Sequence, residues 1–157
     1  MDSVDKVIWI LPFLGVLDVI SALYAESLEY SLLPYEIGLS ARFFASIGLF
    51  YFYIPIYLLI IVGIAYILWY IKNRKLSPSD PFDKVVFLFL VGITCYLYIQ
   101  LTVAFIGNFF LPYFVDGKIS WSSVALLAIL STAFTLAYYL WRDVLTWLKT
   151  NDNKKKK

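Results

Sequence analysis

Apolar residues fill four long stretches of this chain, and short polar segments separate them. The stretches cover residues 7–25, 39–71, 85–110 and 121–148, each to within a few positions. A helix that crosses the hydrocarbon core of a bilayer needs roughly 20 predominantly apolar residues, and each stretch supplies about that many or more. The pattern predicts an all-α integral membrane protein, a single domain over residues 1–148 that forms a bundle of four transmembrane helices.

The second stretch is longer than a membrane crossing requires. It carries one charge, Arg42, near its start and a proline, Pro55, near its middle. As one straight helix, residues 39–71 would measure about 50 Å, whereas the hydrocarbon core is about 30 Å thick. Because proline removes a backbone donor and clashes with the preceding turn, we expect a kink near Pro55. Residues 40–53 are then expected to tilt strongly, lie along the membrane surface or project above it.

Composition narrows the chemistry further. Of the 157 residues, 62% are hydrophobic and 15% are charged, whereas soluble domains average about 25% charged residues. This composition excludes a soluble enzyme, a disordered chain and a small secreted disulfide module. The chain has no histidine and one cysteine, Cys95, so the common haem and zinc ligands and an intramolecular disulfide are missing. We therefore expect no metal, no cofactor and no catalytic activity, and the net charge of +2 does not indicate nucleic-acid binding.

The connecting segments and tryptophans predict the orientation of the helices. The connector at residues 72–84 and the tail at 149–157 are basic, which places both in the cytoplasm, whereas residues 26–40 contain no lysine or arginine. Four crossings then put both termini on the cytoplasmic side, and we expect the tail to be disordered. Tryptophans favour membrane interfaces, and four fall at the predicted inner interface and one at the outer: Trp9, Trp69, Trp141 and Trp147, and then Trp121.

One charged residue lies deep within a predicted span. Counted from Trp9 at the inner interface, Asp18 is about 13 Å into the membrane, near the midplane. Charged groups cost about 2.5–3.5 kcal/mol at this depth and are functional candidates by default. The same count predicts a hydroxyl-rich layer around Asp18, and this candidate intramembrane polar cluster consists of Asp18, Ser21, Thr94, Ser131, Thr132 and Thr135.

Two interpretations of Asp18 stay open. As a hydrogen-bonding anchor, it would hold helices together, which is a common use of polar residues in membrane proteins. As a protonatable group, it would serve a proton relay or a cation site. A second polar set lies nearer the outer surface and is a candidate vestibule: Glu26, Glu36, Arg42, Gln100 and Asn108.

These features favour an accessory, assembly or lipid- or protein-binding membrane subunit without catalytic activity. The expected partners are the lipid bilayer and either another membrane protein or further copies of this chain, and we expect no nucleic acid. The alternative is a small oligomeric transporter or channel that uses Asp18, because four helices alone enclose little volume. We expect a prokaryotic cell membrane. The endoplasmic reticulum membrane is the alternative, because Lys154 and Lys155 have the spacing of a dilysine retrieval signal.

Overall fold

The described part of the protein is entirely helical. The computed structural model describes residues 3–28, 43, 46–74 and 76–149. Over these residues the helices are α1 (Ser3–Ser27), α2 (Phe50–Asn73), α3 (Pro81–Val115) and α4 (Trp121–Lys149). Each is long and apolar enough to cross a membrane, judged by length and composition. The prediction of an all-α chain with four helices of this kind is therefore confirmed.

The lengths of the second and third helices differ from the predicted spans. In α2 the helix begins at Phe50 rather than near residue 39, because Ile47 and Gly48 form a turn in which Gly48 has φ +73°. Glycine adopts this left-handed conformation without steric cost, and a residue in that conformation commonly ends a helix. Pro55 lies in the second turn of α2, and the kink there stays a prediction.

The third helix is the longest, with 35 residues from Pro81 to Val115, or about 52 Å. Its start is fixed by local chemistry: the Asp80 side chain accepts a hydrogen bond of 2.9 Å from the Phe82 backbone N–H. Proline follows at the first helical position, where its missing N–H costs nothing. The apolar run predicted at 85–110 is thus extended by about one turn at each end.

Helices α1 and α3 form the centre of the molecule. Most of the packing of α2 is against α1 and most of that of α4 is against α3, and α2 and α4 do not pack against each other within the described residues. One apolar core connects all four helices, through side chains such as Ile8, Ile61, Phe87 and Leu136. Gly15 lets α1 and α2 approach closely, since a Cβ atom there would lie 2.6 Å from Ile61. The four-helix bundle is therefore open on the side between α2 and α4.

At one end of the bundle, α1 and α3 begin and α2 and α4 end; we call it the N-terminal end. There the Lys72 ammonium lies 2.6 Å from the Asp5 carboxylate, and both side chains are about 10% exposed. The Ser3 backbone N–H donates to Asp143 Oδ2 at 2.8 Å, which ties α1 to α4. These contacts fix the register of three helices at this end. We call the other end, where α1 and α3 end, the opposite end.

Candidate functional site

The carboxyl group of Asp18 joins side chains from three helices. The phenol hydroxyl of Tyr57, on α2, donates to Asp18 Oδ2 at 2.6 Å. The side-chain amide of Asn108, on α3, donates to Asp18 Oδ1 at 3.0 Å. Both carboxyl oxygens thus accept a hydrogen bond from a different neighbouring helix, and Asp18 is half-buried. We call these three side chains the Asp18 site.

The three residues meet because their helices place them at one level. Asp18 precedes the end of α1 at Ser27 by about 14 Å, and Asn108 precedes the end of α3 at Val115 by about 10 Å. Tyr57 follows the start of α2 at Phe50 by about 10 Å. Since α1 and α3 end where α2 begins, the Asp18 site lies about one helical turn beyond the middle of α1, toward the opposite end.

Aromatic rings surround the level of the Asp18 site. The ring of Tyr53 lies 5.7 Å from that of Tyr57, one turn along α2. The ring of Phe109, next to Asn108, stacks on Tyr24 of α1 with a centroid distance of 5.7 Å. These rings separate polar atoms from their surroundings with apolar surface, and hydrogen bonds in such an environment are stronger than in water.

The chemistry of the Asp18 site is that of a carboxyl group with two donors. An O–H···O distance of 2.6 Å is at the short end of the range and is typical of a charge-assisted bond. Losing either donor would remove one of these two hydrogen bonds in an apolar setting, which costs about 1–3 kcal/mol. The arrangement can hold three helices in register, and it can also hold a proton on a carboxyl or phenol group.

Four hydroxyl groups of the predicted layer donate to backbone carbonyls of their own helices. Thr94, Ser131 and Thr135 donate to carbonyls of their own helices, at Leu90, Ala128 and Ser131. Ser21 is adjacent to Asp18 but donates to its backbone carbonyl rather than to its carboxylate. Thr132 belongs to the buried row of α4. A carbonyl three or four residues earlier in the helix is within reach of a serine or threonine hydroxyl, so Ser21, Thr94, Ser131 and Thr135 bond locally.

The predicted outer vestibule is divided in the structure. Asn108 belongs to the Asp18 site, and Gln100 is exposed on another face of α3. Glu26 accepts a long hydrogen bond of 3.4 Å from the Tyr51 hydroxyl. Glu36 and Arg42 lie outside the described residues. The described members therefore do not form one polar surface.

Sequence reasoning missed Tyr57 as a partner of Asp18. Counting the helical rise from the interfacial tryptophans would have indicated Tyr57 as a candidate. Tyr57 lies about 18 Å along α2 from Trp69, and Asp18 lies about 13 Å along α1 from Trp9. The rings of Trp9 and Trp69 are 6.1 Å apart, so the two counts start at the same level. A tyrosine at that depth was therefore as eligible as any of the predicted hydroxyl residues.

Two further observations bear on possible chemistry. Among the described residues, no group of three or more His, Cys, Asp or Glu side chains is placed to hold a metal ion. Cys95 is a free, half-buried thiol on α3. Comparison with protein-family models, with curated proteins and with solved structures finds no significant match to this chain.

Proposed function

We propose that this chain is a multi-pass membrane protein that acts as a non-catalytic accessory or assembly subunit and binds another membrane protein or lipid. The proposal rests on the hydrogen bonds that Asp18 accepts from two neighbouring helices. This charged side chain lies deep in the apolar helices, and its two oxygens accept hydrogen bonds from α2 and α3. Asp18 therefore serves to hold helices together, as polar groups commonly do in membrane proteins.

The exposed surface of α4 supports a binding role. Its buried side chains form a single row at four-residue steps, and the remaining faces have no partner within the described chain. Phe134 is 74% exposed, Tyr138 85% and Trp141 65%. Lipid can cover such a surface, but aromatic residues are also the anchors most often found at protein interfaces. We infer that this face of α4, with Phe134 and Tyr138 at its centre, binds the partner.

A co-purification experiment tests this proposal. The tagged protein is extracted from its native membrane in mild detergent, and the proteins recovered with it are quantified. The paired variant Phe134→Ala, Tyr138→Ala removes two side chains from the exposed face of α4. The matched control Leu59→Ala, Tyr66→Ala removes two from α2, where Leu59 is 71% and Tyr66 54% exposed.

The proposal predicts a stoichiometric membrane-protein partner with the wild type and the α2 control and its loss with the α4 variant. If the α4 variant recovers the same partner in the same amount, this face is not the binding surface. If the wild type recovers no partner and no retained lipid, the accessory function is wrong.

A second candidate function is a small oligomeric transporter or channel. The short distance between the Tyr57 hydroxyl and Asp18 favours it, because hydrogen-bonded ionisable groups inside apolar helices are the parts of proton relays. This function predicts flux driven by a pH gradient in liposomes, abolished by Asp18→Asn and retained by Tyr66→Phe. Wild-type protein that gives no flux under any imposed gradient removes this candidate.

A further inference from the structure

Gln100 presents an amide group to the surface of α3 without a hydrogen-bond partner in the described chain. Its side chain is exposed, as are those of Val85, Phe89 and Tyr96, which precede it on the same face at steps of four and seven residues. The amide thus has one carbonyl acceptor and two N–H donors to satisfy.

At the position of Gln100, an amide without hydrogen-bond partners costs free energy. Gln100 lies midway between Lys84 and Asp116, the charges that flank the apolar run of α3, and about 24 Å of helix separates it from each. Gln100 also lies only about 12 Å along α3 from Asn108, which belongs to the Asp18 site. Both measures place it within the hydrocarbon region, where no water or lipid headgroup is available to bond the amide.

An apolar groove lies on the same face, next to Gln100. It has a volume of about 550 Å³, and its lining includes Phe89, Gly92 and Tyr96. A Cβ atom at Gly92 would have no atom of the chain within 4 Å, so the groove is open above the glycine. Glycine at this position allows the backbone of another helix to approach closely, as small residues do in membrane helix pairs.

We propose that this face of α3 binds the same face of a second copy of the chain, with Gly92 at the crossing and the two Gln100 amides bonded to each other. The proposal rests on the membrane insertion inferred above. Two copies inserted in the same direction are related by a two-fold axis normal to the membrane, which brings each residue of α3 opposite itself or its near neighbours.

The amide is what selects a second copy as the occupant. A glutamine side chain both donates and accepts, so across a two-fold axis each amide can donate one N–H to the carbonyl of the other. An acyl chain has neither group, and lipid would leave both amides unpaired. The exposed Tyr96 ring, 63% accessible, is placed to fill the groove of the other copy. The same face of a second copy thus offers an exposed ring, an open glycine and an amide that can pair with Gln100.

Disulfide cross-linking tests the position of the axis. In a Cys95→Ser background, Gly92→Cys is reconstituted in liposomes at high lipid-to-protein ratio and oxidised. We expect a cross-linked dimer of the chain. Gly63→Cys on α2 is the matched control, since a Cβ there also meets nothing within 4 Å, and it should remain monomeric. Equal cross-linking at the two positions, or none at Gly92, overturns the proposal.

Energy transfer between fluorescently labelled copies in liposomes tests the role of the amide. Gln100→Leu should lower the dimerisation affinity about tenfold, and Gln100→Asn should lower it less because it keeps the amide. Gly92→Leu should abolish dimerisation without disturbing the monomer, whereas Gly63→Leu should leave it unchanged. A wild type that is monomeric by this measure, or binds a different protein through this face, overturns the proposal. Binding of a partner through α4 is measured separately by co-purification, so either proposal can fail without the other.

Discussion

At the scale of single residues, Asp18 illustrates how one charged side chain can be retained inside apolar helices. The cost of placing it there is offset only if its oxygens are bonded, and Tyr57 and Asn108 supply the donors. Each donor comes from a different helix, so the same bonds that satisfy the carboxyl group also connect α1 to α2 and α3. Stability and register therefore depend on one group.

Replacing the carboxyl group tests this dependence. Asp18→Asn keeps one acceptor oxygen, so it should lower the free energy of unfolding by about 1 kcal/mol. Asp18→Leu removes the two hydrogen bonds from Tyr57 and Asn108 and should cost about 2–3 kcal/mol. Unfolding of the reconstituted protein in mixed micelles measures both values. If Asp18→Leu is as stable as the wild type, Asp18 is not a structural anchor.

The contribution of the phenol hydroxyl can be separated from that of the ring. Tyr57→Phe removes the hydroxyl that donates to Asp18 and should destabilise the protein by about 0.6–1.7 kcal/mol, from the average to the maximum found for hydrogen bonds between membrane helices. Tyr66→Phe on the same helix is the control, since Tyr66 is 54% exposed and its described contacts are with aromatic rings. The same unfolding assay applies. Equal effects of the two substitutions would show that the Tyr57 bond contributes nothing.

Part of the Asp18 site was predictable from residue types, and part was not. Depth counting identified Asp18, because an aspartate at the midplane is rare. It assigned Thr94 to the same level because the count on the third helix began at Asp83. In the structure Asn108 lies 27 residues after the start of α3, whereas Asp18 lies 15 after the start of α1. The offset between parallel helices depends on tertiary packing, so the sequence does not specify it.

At the scale of the helices, apolar length predicted their number but not where they begin and end. The third run extends through Phe109 to Val115, and the helix continues past Pro112 for three residues. The second run contains Gly48, whose positive φ interrupts the helix before Phe50. A hydropathy pattern indicates which residues avoid water but not their backbone conformation, so it does not predict a glycine turn inside an apolar run.

The contact between α3 and α4 depends on Gly107. A Cβ atom there would lie 2.6 Å from the Cζ3 atom of the Trp121 indole, at the start of α4. Gly107→Ala should therefore lower the free energy of unfolding by about 1–3 kcal/mol, even though alanine favours helix by about 1 kcal/mol.

Gly92→Ala is the control, since nothing lies within 4 Å of the added methyl group. It should leave the stability of the monomer unchanged or raise it slightly, and thermal unfolding in detergent compares the two. A stability of Gly107→Ala equal to that of Gly92→Ala would show that the Trp121 indole moves aside at no cost.

At the scale of the whole molecule, charge is distributed unevenly between the two ends. Among the described residues, Lys118 is the one basic residue in a segment at the opposite end. The other six lie at or near the N-terminal end, where Lys72 pairs with Asp5: Lys6, Lys72, Arg74, Lys84, Arg142 and Lys149. Basic segments are retained on the cytoplasmic side of a membrane, which favours an orientation with the N-terminal end in the cytoplasm.

This orientation makes a prediction for two exposed serines at opposite ends. In a Cys95→Ser background, Ser79→Cys lies between α2 and α3, and Ser120→Cys lies between α3 and α4. Both changes are nearly isosteric and leave the charge unaltered, so they do not disturb the determinants of topology. A membrane-impermeant maleimide added to intact cells should label Ser120→Cys and should label Ser79→Cys only after permeabilisation. The reverse pattern would mean that the basic end faces outward, and labelling of both in intact cells would mean that the third helix does not cross the membrane.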